Sequence, residues 1–249
     1  MHKIILASAI ALCLPTTSYA DTLGFKFGAD LWQQSYEGTI KSGFAGSQID
    51  LENDLGFDSE TGANVYFVLE HPIPIIPNVK IQHTELDISE TNTLQRNITF
   101  DGVTYNVNAD IKSVSDLTHT DFTLYYEVLD NWFSLDLGIT ARVFNEGIKI
   151  TNQTNGDSAS EELDETLPML YGAVKFDLPL TGLYVGGDIN WLAVSGDSLV
   201  DSKINLGYES SFGLGIEAGY RRFDLEIKDD DDSADITIEG AYAGLFYHF

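Results

Sequence analysis

The sequence predicts an all-β fold: a closed antiparallel transmembrane β-barrel of ten strands, with short periplasmic turns and long extracellular loops. Merging the seventh and eighth strands into other structure would give eight. Three observations predict this. Apolar and polar residues alternate in segments of roughly 10 residues, the length of a strand that crosses a bilayer. The connections between those segments alternate between short and long. The chain stops on an aromatic residue in the middle of an alternating strand, Ala234 to Phe249.

The N-terminus sets the compartment. Met1-His2-Lys3 is basic, Ile4 to Leu14 is apolar, and Ser18-Tyr19-Ala20 is a small-x-small cleavage site. The expectation is a signal peptide over 1–20, cleaved at about Ala20, and one barrel domain over 21–249. The apolar stretch is too short for a membrane helix. The one cysteine, Cys13, lies inside the signal, after Leu12 rather than the small residue of a lipoprotein site. The mature chain therefore has no thiol or disulfide chemistry.

The first strand runs from Leu23 to about Trp32, with Leu23, Phe25, Phe27, Ala29 and Leu31 on one face. Lys26 and Asp30 lie on the other, because successive side chains leave a strand on opposite sides. The second strand, Ala63 to His71, ends at Pro72, and Pro72 to Asn78 is a proline-built turn. The third starts at Val79. The fourth, Leu117 to Leu129, turns at Asp130-Asn131 into the fifth, where Phe133, Leu135, Leu137, Ile139, Ala141 and Val143 share a face. The sixth (167–177) has apolar residues on both faces. The seventh is Leu183 to Ala193 and the eighth roughly Val200 to Glu209. The ninth begins at Leu214, and its apolar parity changes after Arg221-Arg222 to Phe223, Leu225 and Ile227, which reads as a β-bulge. The tenth is the final strand.

The gaps after odd strands are 39–61, 88–116, 145–166, 194–199 and 228–234, mostly long and acidic. Those after even strands are 72–78, 130–131, 178–182 and 210–213. Segregated loop lengths on an even strand count are the layout of an outer-membrane barrel. A mean hydropathy of -0.06 fits a wall whose two faces cancel. The net charge of -26 argues against a nucleic-acid partner.

The apolar faces are expected to meet lipid and the polar faces the lumen. Lys26, Asp30, Glu70, Lys80, Glu127, Asp136, Arg142, Asp188, Glu217 and Arg221 fall on the lumen side. A charge on the lipid face at mid-membrane costs about 2–4 kcal/mol. These residues either line a selective pore or fill a small barrel as a salt-bridged plug, and the narrow bore favours the plug. Tyr247, Phe249, Phe133, Phe176, Tyr220 and Trp191 sit near strand ends, as interfacial girdles do. On the final strand, the spacing of Tyr242, Gly244, Tyr247 and Phe249 resembles the C-terminal signal by which outer-membrane barrels are recognised by the barrel-assembly machinery. Phe249 to Ala241 on alternate positions are assigned to lipid, and the strand edge is expected to close on the first strand.

The segments EHPIPIIPNVK (70–80), DLPLTGLYVGGDINW (177–191), GYRRFDLEI (219–227) and GAYAGLFYHF (240–249) resemble an uncharacterised family of small Gram-negative outer-membrane β-barrel proteins. The resemblance implies location in the bacterial outer membrane and architecture. It brings no substrate and no catalytic residues.

Loop acids cluster at Asp50, Glu52, Asp54 and Asp58, at Glu161, Glu162, Asp164 and Glu165, and at Asp229 to Asp232. Oxygen clusters suit Ca²⁺ or Mg²⁺, but 228–235 lacks the glycine and spaced glutamate of an EF-hand, so solvated loops are expected. Weak divalent bridging to lipopolysaccharide is a lesser reading. His119 and Asp121 fall on the lumen side of the fourth strand near its loop end, where acid–base chemistry would need a partner within reach. Asp101-Gly102 between Phe100 and Val103 is a type I′ hairpin signal. The sequence thus gives an outer-membrane barrel with a structural or surface-interaction role, in contact with lipid and lipopolysaccharide, without cofactor and not an enzyme. The alternatives are a narrow channel or small-solute transporter, and a surface enzyme at the extracellular barrel mouth.

Overall fold

The alternating segments become strands throughout a computed structural model that describes residues 23–228 and 231–249. The expected signal peptide, with Cys13, lies outside the described residues, as do Asp229 and Asp230. The strands are β1 (Gly24–Lys41), β2 (Ile49–Asp50), β3 (Ser59–Glu70), β4 (Asn78–Thr84), β5 (Asp87–Thr93) and β6 (Ile98–Phe100). They continue with β7 (Val103–Tyr105), β8 (Asp110–Asp116), β9 (His119–Leu129), β10 (Phe133–Phe144), β11 (Glu146–Asn152) and β12 (Ser158–Leu163). The last are β13 (Thr166–Asp177), β14 (Leu183–Val194), β15 (Asp197–Glu209), β16 (Leu214–Lys228) and β17 (Ser233–His248). No helix occurs among the described residues.

Ten of these strands, β1, β3, β4, β9, β10 and β13 to β17, form one antiparallel sheet that closes on itself. The seam is β1 with β17, running from Lys26 opposite His248 to Lys41 opposite Ser233. Closure leaves no unpaired edge in the wall, a requirement in hydrocarbon, where no water can satisfy a free backbone group. The outward side chains form an apolar belt: Leu31, Leu245, Ile204 and Ile216 are all more than half exposed. Aromatic side chains gather at its short-turn end. Phe25 stacks on Phe249 at 5.4 Å, and Trp132 meets the edge of Phe176 at 5.2 Å.

The parity change after Arg221-Arg222 is not a bulge. The ladder of β16 runs unbroken against both β15 and β17. Arg221 and Phe223 point inward alike, 1% and 0% exposed. What changes is the medium on each side. Below this level the outward face is apolar (Tyr220, Ile216) and the inward face polar; above it the outward face carries Arg222 and Asp224 and the inward face is apolar. β1 inverts at the same height, with Trp32 and Tyr36 turned in and Gln33, Ser35 and Glu37 turned out. The inversion marks where the wall leaves the lipid. Among the described residues the wall has one irregularity of register, between Leu135 and Asp136.

Above that level the loops are folded. β5, β8, β11 and β12 prolong four barrel strands as a separate sheet in the order β12-β11-β8-β5, and β6–β7 is a hairpin turned by Asp101 (φ 43°) and Gly102 (φ 73°). The expected type I′ turn is thus present, since both central residues have positive φ. These elements and the upper barrel enclose a continuous apolar core that includes Trp32, Ile49, Leu55, Phe57, Phe144 and Phe223. Each such large side chain contributes about 1.5–3 kcal/mol by burial. The result is a cap over the loop end of the barrel.

The cap carries its own titratable strain. Partial burial first, then the neighbouring Asp116, Glu85 and Glu60, raise Asp87 above the ordinary carboxylate range. A raised folded-state pKa means that the folded cap holds this proton more tightly than the unfolded chain does. The cap therefore gains stability as pH falls through the raised value, the gain being complete below about 4, and loses it as pH rises. Asp87→Asn is expected to slow proteolysis of the loops at pH 7 and to flatten the pH dependence of cleavage between 7 and 4. Faster cleavage at pH 7 in the Asn variant would contradict this.

Candidate functional site

Beneath the cap the lumen is crossed by a plate of paired charges. Asp121 and Arg142 face each other across the β9–β10 ladder because both occupy inward positions of registered neighbours. Arg142 donates from Nε and Nη2 to the two Asp121 oxygens at 2.8 and 2.7 Å. Its Nη2 also reaches Asp201 Oδ2 at 2.7 Å. Asp201, on β15, accepts in turn from Arg221 Nε at 2.9 Å and Nη2 at 2.7 Å. Two carboxylates thus balance two guanidiniums, and all four side chains are at most 3% exposed. Hydrogen bonds carry the plate to the other wall. Arg221 Nη1 donates to Thr84 Oγ1, Thr84 donates to Asn64 Oδ1, and Asn64 Nδ2 donates to Asp30 Oδ2 at 2.7 Å. Thr140 bridges Thr123 and Asn190 on the remaining side. The Arg221 guanidinium lies 4.7 Å from the Trp32 ring centroid, which joins the plate to the cap.

His119 sits at the top of the plate, wholly buried between Phe144 and Phe223. Its Nδ1 lies 2.8 Å from the Leu117 carbonyl, which accepts its proton and leaves Nε2 as a lone pair. Nε2 has no hydrogen-bond partner and stands 4.0 Å from Asp201 Oδ2. The ligand atoms of His119, Asp121 and Asp201 come within 4.8 Å of one another. Both carboxylates are already engaged by guanidiniums, so a cation would have to displace them. A molecule approaching from outside meets the apolar cap before it reaches His119.

Below the plate a cavity of about 310 Å³ runs to the short-turn end of the barrel, where Asp130, Asp177 and His248 rim it. Its walls carry tyrosines on inward positions, two of them laid against a cross-strand glycine. Tyr66 faces Gly28 and Tyr184 faces Gly207 in register. A Cβ on either glycine would fall 2.3 or 2.2 Å from the ring, so the ring keeps this position only over glycine and would have to swing aside over any other residue. Lysines lie over these rings: Lys26 is 4.0 Å from the Phe246 centroid and Lys175 5.0 Å from that of Tyr184.

The structure places the sequence-predicted lumen charges in two groups. Asp30, Arg142 and Arg221 belong to the plate; Lys26, Glu70, Lys80, Glu127, Asp136, Asp188 and Glu217 line the cavity. On β17, Tyr242 points inward and Tyr247 is exposed on the outer wall, as is Phe249 just beyond the strand. The sequence reading missed Asp201, the residue that links the two arginines, and Lys203. Their signal was present: Asp201 and Lys203 alternate with the outward Ile204 and Leu206 on β15. Loop acids are partly engaged within the loops, where Asp54 pairs with Arg96 and Asp50 Oδ1 accepts the backbone N–H groups of Glu52 and Asn53.

The structure is similar to that of the outer-membrane protease OmpT of Escherichia coli, with a TM-score of 0.56 at 9% identity over 94% of this chain and 99% of that one. The fold is that of an outer-membrane β-barrel. A FadL homologue of Pseudomonas aeruginosa (TM-score 0.35, 10% identity, 92% and 90% of the two chains) and the toluene transporter TodX of Pseudomonas putida (TM-score 0.30, 9% identity, 92% and 90%) are far weaker likenesses. No family model and no curated protein matches the sequence, so the resemblance to an uncharacterised barrel family stands for the fold alone. The likeness to OmpT corrects one expectation. A protease is built on this fold, so the reading that the chain is not an enzyme does not stand, and the architecture leaves catalysis open.

Proposed function

We propose that the protein is a bacterial outer-membrane barrel whose lumen is closed and whose folded acidic cap serves as an interaction surface outside the cell. The observation that carries this reading is the stacked closure: the Asp121–Arg142–Asp201–Arg221 plate lies directly under an apolar core with no exposed member. Water and ions crossing the lumen would have to break buried ion pairs and then part a packed core, each costly in a low dielectric. The apolar belt contacts lipid, the outer rim of the wall meets lipopolysaccharide, and the terminal Tyr242 to Phe249 segment is the handle for the barrel-assembly machinery. Of the lumen charges, Asp30, Arg142 and Arg221 act in the plug, and the others line the chamber beneath it.

The test is conductance. Folded, heat-modifiable protein in planar bilayers is expected to give no discrete openings over a range of voltage and salt. Reproducible single-channel steps from that material would sink the closed-lumen reading in favour of the narrow channel.

A further inference from the structure

We propose that the cavity below the plate binds a small organic cation, an aliphatic amine of diamine size, entering from the periplasmic end. The argument begins with the pairing of charges on its walls. Lys80 and Lys203 flank Asp188 at 3.6 and 4.0 Å, and Lys175 is 3.0 Å from Asp177. Lys26 lies over the Phe246 ring at 4.0 Å, with Tyr66 beside it. Every cation of the cavity therefore has an internal partner. Glu70, Glu127 and Asp136 have no cation within ion-pairing distance among the described residues. Among the described residues Glu70 accepts from the Tyr125 hydroxyl alone, at 2.9 Å. The spare charge in this chamber is negative.

Glu127 and Asp136 stand directly opposite each other across the β9–β10 ladder, next to its irregular step. Like charges facing across a ladder are destabilising, and a bound cation between them would relieve the repulsion. Asp136 Oδ1 is shielded from solvent and has no hydrogen-bond partner within the protein. Beside this pair, Tyr125 and Tyr171 form a tilted aromatic corner with centroids 5.8 Å apart; Lys80 already lies over the Tyr171 ring at 5.4 Å, which leaves the Tyr125 ring for a ligand. Carboxylates flanked by electron-rich ring faces are the chemistry that selects an ammonium group. The volume lies at the small end for a ligand pocket. The plate closes the chamber above, and the rim residues Asp130 and Asp177 leave it open below. A diamine would place one ammonium between Glu127 and Asp136 and the other toward Glu70.

Putrescine is the probe, titrated calorimetrically into the full-length folded barrel in detergent, with Mg²⁺ alone as a parallel titrant. The expectation is saturable one-to-one binding that weakens about tenfold or more in Glu127→Gln/Asp136→Asn. It should be unchanged in Glu161→Gln/Glu162→Gln, which removes two carboxylates from the cap. Asp136→Asn alone should weaken binding by a smaller factor, and it keeps the test valid if the double variant folds poorly. Absence of saturable binding, equal loss in the cap variant, or a Mg²⁺ isotherm as tight as that of putrescine would overturn the proposal. The closed-lumen reading fails on conductance and this one on binding, so the two are separable.

Discussion

Exchange of Asp201 for Asn is expected to destabilise the barrel by about 3–5 kcal/mol, the cost of leaving buried charge without its partner. Asp201 is 3% exposed and accepts from Arg142 and from both donors of the Arg221 fork. Asn keeps the shape and removes the charge. Asp121, on the far side of Arg142 from Arg221, is then the one carboxylate still bonded directly to a guanidinium, and Arg221 keeps only its link to Asp30 through Thr84 and Asn64. The loss should be read as a lower urea midpoint for unfolding from lipid vesicles, followed by heat-modifiable mobility. A second variant separates charge imbalance from lost contact. Replacing Asp121, Arg142, Asp201 and Arg221 together by apolar residues of similar volume should cost much less than D201N alone, because a whole buried network can be exchanged for packing nearly neutrally. A D201N loss below about 1 kcal/mol would mean that the plate is hydrated and loosely held, and the closed-lumen reading would lose its main support.

The second large effect is expected from Trp32→Ala, at about 3–5 kcal/mol from truncating a wholly buried tryptophan. Trp32 is 1% exposed and stands where the inward face of β1 passes from the plate to the cap. Its ring carries the Arg221 guanidinium at 4.7 Å, a cation–π contact that adds about 0.5–2 kcal/mol when desolvated. Trp32→Phe keeps a ring under the guanidinium and should lose markedly less. Both variants are measured by the same urea titration. Equal losses for Ala and Phe would show that volume alone matters at this position and that the plate and cap are not joined through it.

The wall was legible from residues alone because its rule is local. One pleated strand between lipid and lumen alternates with period two, and Phe133 to Val143 or Leu214 to Tyr220 display that rule without reference to any other segment. The same locality produced the misreading at Arg221-Arg222. A change of apolar parity has two causes, a slipped register or exchanged surroundings, and the sequence of one strand does not distinguish them. The ladder with β15 and β17 does. His119 and Asp121 were recognisable as inward residues near the loop end. That Asp121 is neutralised by Arg142, and that His119 is sealed by Phe144 and Phe223, depends on strands distant in sequence.

The sequence by itself predicted a ten-stranded wall, the direction in which side chains leave it except on 167–177 and beyond Arg222, the alternation of turns and loops, and closure at the final strand, because each follows from backbone pleating and the transfer cost of a charge into lipid. Only the tertiary structure decided what fills the bore. Asp201 between two arginines, tyrosines seated on glycines, and loops folded into an apolar cap are contacts across the barrel, set by register and height rather than by neighbours in the chain. The upper apolar residues share their parity with the lumen charges, so only their place above the lipid tells a core from a channel lining.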